Sequence, residues 1–63
     1  MSIREEYYGR FQNPPKDKAK KILFAIFEDI LDRRGFSGAW DETDEETQNE
    51  ILATNLATIQ KNL

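Results

Sequence analysis

The sequence predicts an all-α fold, a helical hairpin preceded by a short N-terminal helix or arm. Apolar residues at helical spacing occupy two stretches, about 15–34 and 44–61, which form the two helices of the hairpin. No useful length of chain alternates apolar and polar residues as a strand does. At 63 residues the chain makes one small domain, 1–63, in which 1–13 is the arm and 14–63 the hairpin.

The arm has the signature of a short helix near residues 3–8. Ser2 followed by Glu5 matches a capping box, and Gly9 provides a stop. One or two helical turns are marginal in isolation, so this helix depends on a neighbour to pack against.

The first long helix is expected to begin at Asn13-Pro14-Pro15, because Asn is a good N-cap and Pro is favoured in the first turn. It is expected to end at Arg33-Arg34-Gly35, with the glycine in the left-handed position that follows a helix. That arrangement brings Phe36 onto Leu31. Residues 36–42 then form a connector with room for one helical turn.

The second long helix starts with a further capping box, Thr43-Asp44-Glu45-Glu46. Its apolar residues form a seam spaced by four, three and four positions: Leu52, Leu56, Ile59 and Leu63. Polar residues recur every seven positions beside that seam: Gln48, Asn55 and Asn62. From Ile51 to Gln60 the helix has no charged residue, which favours a contact surface over a solvated face.

The first long helix has more apolar surface than one neighbour covers. Nine apolar residues between Ala19 and Leu31 span an arc of roughly 200° at 100° per residue, about twice a usual apolar stripe. We therefore expect a homo-oligomer, with a dimer favoured, or a foreign protein partner. The interface residues of this hypothesis are Phe24, Phe27, Leu52, Asn55, Leu56, Ile59 and Leu63. The alternative is that the seam packs only within the chain and its polar residues face water.

The composition narrows the possible functions. The chain has no His and no Cys, which removes disulfides, zinc sites and the usual catalytic bases and nucleophiles. A calcium-binding EF-hand loop starting at Asp41 is excluded, because its sixth position is Glu46 instead of Gly and its twelfth is Leu52 instead of Glu. We expect no cofactor and no enzymatic activity. Without a signal peptide or an apolar run of membrane length, we expect a cytoplasmic protein and no membrane partner.

Two charged segments leave a second function open. Basic residues are concentrated in 10–21, close to Tyr7, Tyr8 and Phe11, and acidic residues in 41–50. The basic segment is compatible with nucleic-acid binding, and the acidic one with imitation of nucleic-acid charge. The net charge of −3 argues against nucleic acid as the main partner.

The second half of the chain contains Ile30-Leu31-Asp32-Arg33-Arg34-Gly35-Phe36, Trp40-Asp41, Asp44-Glu45-Glu46 and Glu50-Ile51. This order resembles small helical proteins encoded by phages and prophages. The resemblance implies a protein that binds and modulates a host protein, and it implies no particular functional residue. The sequence thus favours a non-enzymatic, self-associating protein–protein interaction module over a regulator linked to nucleic acid.

Overall fold

The computed structural model describes residues 2–63 and has four α-helices in that range. They are α1 (Ile3–Tyr8), α2 (Lys18–Leu31), α3 (Arg34–Asp41) and α4 (Glu45–Lys61). The helices α2 and α4 pack together as the arms of a helical hairpin, with α3 against α2 and α1 against α4. The predicted all-α hairpin with a short N-terminal helix is confirmed, and no strand occurs within residues 2–63.

The capping box predicted at the start of α1 is present. The hydroxyl of Ser2 accepts a hydrogen bond from the Glu5 backbone at 3.2 Å, and the Glu5 carboxylate accepts one from the Ser2 backbone. Ile3 and Tyr7, which lie one turn apart, are both buried. The helix ends before Gly9, as predicted, although this glycine has an ordinary φ of −92°.

The helix α2 begins later than the sequence analysis predicted. Asp17, and not Asn13, is the N-cap, because its carboxylate accepts a hydrogen bond from the backbone of Lys20 at 3.1 Å. The Asn13 backbone instead donates to the Gly9 carbonyl at 2.9 Å, so the chain continues to turn after α1. A residue that precedes proline disfavours the helical conformation, which delays the helix until the chain has passed Pro15.

The region after α2 also differs from the prediction. The helix α2 ends at Leu31, and Gly35 lies inside α3 instead of following α2 in a left-handed conformation. No glycine within residues 2–63 has a positive φ. The turn expected to bring Phe36 onto Leu31 is therefore absent, and Phe36 is 62% exposed.

Burial of Trp40 explains why two glycines do not stop α3. Gly35 and Gly38 inside a helix cost about 1 kcal/mol each relative to alanine. The Trp40 side chain is buried, with its ring 5.7 Å from the Phe27 ring in an edge-on arrangement. Burial of a tryptophan stabilises by about 4 kcal/mol, which exceeds the cost of both glycines.

The helix α4 matches its prediction closely, apart from its N-cap. The N-cap is Asp44, whose carboxylate accepts from the backbone of Thr47 at 3.1 Å and from its hydroxyl at 2.7 Å. These hydrogen bonds lower the pKa of the Asp44 carboxyl. Thr43, the residue expected at this position, donates its hydroxyl to the Ala39 carbonyl of α3 instead.

The core closes within a single copy of the chain. Its buried side chains come from all four helices: Ile3, Tyr7, Leu23, Phe24, Phe27, Trp40 and Leu52. Phe24 packs edge-on against Tyr7 of α1 at 5.3 Å, and Phe27 packs against α3. Phe24 is 3% and Phe27 is 7% exposed. The expectation that these two residues lie on a surplus face is wrong, because α1 and α3 cover that part of the apolar arc.

Two leucines of the α4 seam give a matched test of this packing. Leu52 is fully buried, whereas Leu63 is 65% exposed. We expect Leu52→Ala to lower the free energy of unfolding by about 3 kcal/mol, because it leaves a cavity in the core. Leu63→Ala is expected to change it by less than about 0.5 kcal/mol. Urea denaturation followed by circular dichroism measures both, and equal losses would contradict this position of α4.

Candidate protein-binding surface

One side of α4 is exposed and has no charged side chain. This α4 surface faces away from the core and consists of Ala53, Thr54, Asn55, Ala57, Thr58 and Gln60. A solvated helix face normally has charged residues, and charged residues are depleted at the centres of protein interfaces. In its lack of charge, the α4 surface resembles the centre of a protein interface.

Two of the four polar side chains of the α4 surface are hydrogen-bonded to their own helix. Asn55 donates its side-chain amide to the Ile51 carbonyl at 2.7 Å, one turn earlier. Thr58 donates its hydroxyl to the Thr54 carbonyl at 3.0 Å in the same way. Because these two donors are already paired, a partner that docks against the surface leaves fewer polar groups desolvated without compensation.

The predicted seam divides between the core and the surface. Leu52 lies in the core, and Leu56 and Ile59 are partly buried against it. Leu63, beyond the last turn, is exposed. The structure thus brings three seam residues onto the inner side of α4, while Asn55 belongs to the α4 surface and Leu63 to its end.

A shallow groove adjoins the first part of the α4 surface. It is lined by Thr47, Glu50, Ile51, Thr54 and Asn55. Ile51 is partly buried against the core, so it gives the groove an apolar floor. Glu50 is the nearest charged residue on the N-terminal side of the α4 surface.

The sevenfold repeat of polar residues has two different structural roles. Asn55 and Asn62 are exposed, and each bonds to the carbonyl one turn earlier. Gln48 is buried: it donates its amide to the Trp40 carbonyl at 2.6 Å and accepts from the Arg4 guanidinium. Gln48 therefore joins α4 to both α3 and α1. The sevenfold spacing does not distinguish the buried Gln48 from the exposed Asn55 and Asn62, because Gln48 is buried through its contact with Trp40 of α3.

The two neighbouring tyrosines of α1 also have different roles. Tyr7 is in the core, and its burial raises the pKa of its phenol. Tyr8 is 48% exposed and accepts a hydrogen bond from the Trp40 indole at 2.7 Å. The Arg4 guanidinium lies 4.8 Å from the centre of the Tyr8 ring. Tyr8 thus anchors α1 to α3 with half of its surface still open.

The basic segment is only partly available to an anionic ligand. Lys20 pairs with Glu6 at 2.7 Å, and Arg10 with Glu28 at 3.5 Å. The Arg10 guanidinium also stacks 4.1 Å from the centre of the Tyr7 ring. The lysines of this segment that form no ion pair within residues 2–63 are Lys16, Lys18 and Lys21. They do not form one basic stripe.

A cleft lies between the end of α1, the loop 9–17 and the start of α2. It measures about 910 Å³, and most of its lining surface is apolar and includes Phe24, although charged residues also lie at its rim. The rim includes Lys20, which is already paired with Glu6. The described residues contain no group of three metal-ligating side chains, and the cleft holds no nucleophile beside a base.

The six carboxylate residues of the acidic segment 41–50 are all exposed. Its carboxylates form no ion pair within residues 2–63: Asp41, Glu42, Asp44, Glu45, Glu46 and Glu50. Asp44 caps α4, and Glu45 and Glu46 lie in its first turn, where negative charge stabilises a helix. The local role of these residues is thus to start α4.

Comparison of the chain with protein-family models, with characterised proteins and with solved structures finds no match. Within the described part of the chain, no helix combines the length and the apolar character needed to cross a membrane.

Gln48, the Trp40 carbonyl and the Arg4 guanidinium form a junction between α4, α3 and α1, which we call the Gln48 junction. We expect its removal to lower the stability of the fold. Gln48→Ala removes one of the hydrogen bonds to the Trp40 carbonyl, which keeps the Thr43 backbone N–H as a donor, and leaves the part-buried Arg4 Nε without its protein acceptor. We expect the free energy of unfolding to fall by about 2 kcal/mol. Gln60→Ala, an exposed change in the same helix, is the control and is expected to have almost no effect. If the two variants melt at the same temperature, the Gln48 junction does not hold the helices together.

Proposed function

We propose that this chain is a non-enzymatic protein–protein interaction module that self-associates and acts by binding another protein. The observation that carries the proposal is the exposed, charge-free α4 surface. It extends over about two turns of a helix that is otherwise strongly charged at its start. Protein interfaces are depleted of charge at their centres, whereas nucleic-acid interfaces are strongly basic.

The closed core supports this proposal. Since the seven core side chains pack together within one copy, folding does not need the α4 surface to be covered. The surface is therefore free to bind and release a partner without unfolding the chain. Leu56 and Ile59, which are only partly buried, border the α4 surface, and Leu63 is exposed beyond the end of the helix. A protein bound to the α4 surface gains further apolar contact from their exposed parts.

The proposal assigns no catalysis and no cofactor to the chain. General acid–base chemistry without His or Cys would fall to carboxylates, Tyr or Lys. The exposed carboxylates here are concentrated at the start of α4, where helix capping accounts for them. We place the protein in the cytoplasm, which a cysteine-free sequence favours. Its resemblance to small phage proteins favours a host protein as the partner.

An alternative function uses the charged segments. The six exposed carboxylates of 41–50, none of them in an ion pair within residues 2–63, form a surface that resembles nucleic-acid charge. The lysines of 10–21 would instead bind nucleic acid directly. A gel-shift assay at low and moderate salt separates these modes, because direct binding weakens steeply with salt. A mimic binds no DNA and competes for a DNA-binding protein.

Charged substitutions test the α4 surface. Ala57→Glu places a charge at its centre, whereas Ala39→Glu places the same charge on an exposed site of α3. In affinity capture from a bacterial lysate, we expect proteins held by the wild type and by Ala39→Glu to be lost with Ala57→Glu, by about tenfold or more. Circular dichroism is expected to show the same helix content in all three proteins.

Retention of the same proteins by Ala57→Glu would contradict a binding role for the α4 surface. Loss with both variants would show instead that added negative charge anywhere on the chain weakens binding. That second result would favour the charged segments as the binding site.

A further inference from the structure

The outer side of α2 has a stripe of exposed residues with ordered charges. This α2 stripe consists of Lys18, Lys21, Ala25, Asp29 and Asp32. At 100° per residue its members lie within an arc of about 80°, on the opposite side of the helix from Leu23 and Phe27. Two lysines come first along the stripe, an alanine is in the middle, and two aspartates come last.

This order of charges does not stabilise α2 within its own chain. The start of a helix favours negative charge and its end favours positive charge. The first turn of α2 has no acidic residue and its last turn no basic one. Lys18, Lys21 and Asp32 form no ion pair within residues 2–63, and Asp29 has only a solvent-exposed pair with Arg33 at 3.3 Å.

The α2 stripe is complementary to itself when one copy is turned around. Lys18 and Asp32 each lie seven residues from Ala25, and Lys21 and Asp29 each lie four residues from it. A second α2 that runs antiparallel, with a two-fold axis at Ala25, therefore places each lysine opposite an aspartate. A parallel second copy would place like charges together. Self-complementarity about a two-fold axis is the requirement for a symmetric dimer.

We propose that two copies of this chain form a two-fold dimer by antiparallel packing of their α2 stripes. The inference rests on the self-association in the proposed function and assigns it to α2, which leaves the α4 surface for another protein. A dimer of this kind presents two α4 surfaces, so it binds a partner bivalently.

Apolar residues beside the stripe add to the contact. Ile26 is 46% exposed and Ile22 is partly exposed, and both lie along one edge of the stripe. Ala25 is small, so two helices can approach closely at the axis. A shallow depression lined by Ala25, Glu28, Asp29 and Asp32 lies where the lysines of the second copy would reach.

The size of the α2 stripe supports only a small dimer interface. The stripe has five residues and two flanking isoleucines, whereas a standard interface has roughly 20–30 residues on each side. We therefore expect a dimer that dissociates in the micromolar range or above, and that weakens as salt screens its charge pairs.

Charge reversal in solution tests this dimer. Sedimentation equilibrium over a concentration series is expected to show wild-type mass rising from 7.4 kDa toward twice that value. Lys21→Glu and Asp29→Lys each turn two attractive contacts into repulsive ones, so each is expected to raise the dissociation constant at least about tenfold. An equimolar mixture of the two variants restores both attractive pairs in a heterodimer, and the mass is expected to recover.

Two control variants change the net charge equally away from the stripe. Lys16 and Asp41 are both exposed. Neither Lys16→Glu, nor Asp41→Lys, nor their mixture is expected to change the mass measured by sedimentation. Circular dichroism checks that every variant keeps its helices. Recovery in the Lys21→Glu and Asp29→Lys mixture, without a change in the control mixture, supports antiparallel pairing specifically.

Two other results overturn the assignment, and they differ in what else they remove. If the wild type is a dimer and both stripe variants have the same dimer mass, the α2 interface is contradicted but self-association is not. A wild-type monomer at all concentrations contradicts self-association as well, and the partner-binding role of the α4 surface is then the part of the proposed function that remains.

Discussion

The fold depends on the packing of α1 over the apolar residues of α2, α3 and α4. The helix α1 has only six residues, too few to be stable in water by itself. Its neighbours hold it through Tyr7 in the core, through the Lys20–Glu6 ion pair, and through the Arg4 backbone, which donates to the Asn49 side chain at 3.1 Å. In return α1 covers Phe24, which would otherwise be open to water.

A buried polar junction makes this packing specific. Apolar contacts alone tolerate small rotations of one helix against another. A buried amide loses its hydrogen bonds if its partners move, and this destabilises the folded state. Gln48 has such partners on α1 and on α3, and every buried side-chain polar atom of residues 2–63 is paired. Trp40 adds a second link, because its indole donates to Tyr8 while its ring packs on Phe27. The junction thus fixes the angle at which α1 crosses the hairpin.

Local signals predicted the helices well, and long-range contacts account for most of the differences. The capping box of Ser2 and Glu5 and the acidic start of α4 were recognisable because a cap needs only neighbouring residues. The helix α3 was missed because its glycines are a local stop signal, whereas the burial of Trp40 depends on residues far along the chain. The predicted start of α2 was too early because Asn13 and Asp17, four residues apart, are both good N-cap residues, and the helix begins at the second of them.

The candidate surfaces were predictable to different extents. Periodicity showed that α2 has too wide an apolar arc, but it does not say which element covers that arc. Phe24 and Phe27 were therefore assigned to a partner when α1 and α3 cover them. The charge-free stretch of α4 was evident from the sequence alone, because it needs only a count of neighbouring residues. The self-complementary order of charges on α2 became clear only once the inner side of that helix was known.

The measurement that tests this account most directly is amide hydrogen exchange of α1, followed by NMR at low protein concentration. If α1 is an integral part of the core, the amides of Tyr7 and Tyr8 exchange with an opening free energy close to that of Leu52 in α4. If those two amides exchange almost without protection while Leu52 stays protected, α1 is a loose arm. The apolar arc of α2 would then be open to a partner, and the closed core described above would be wrong.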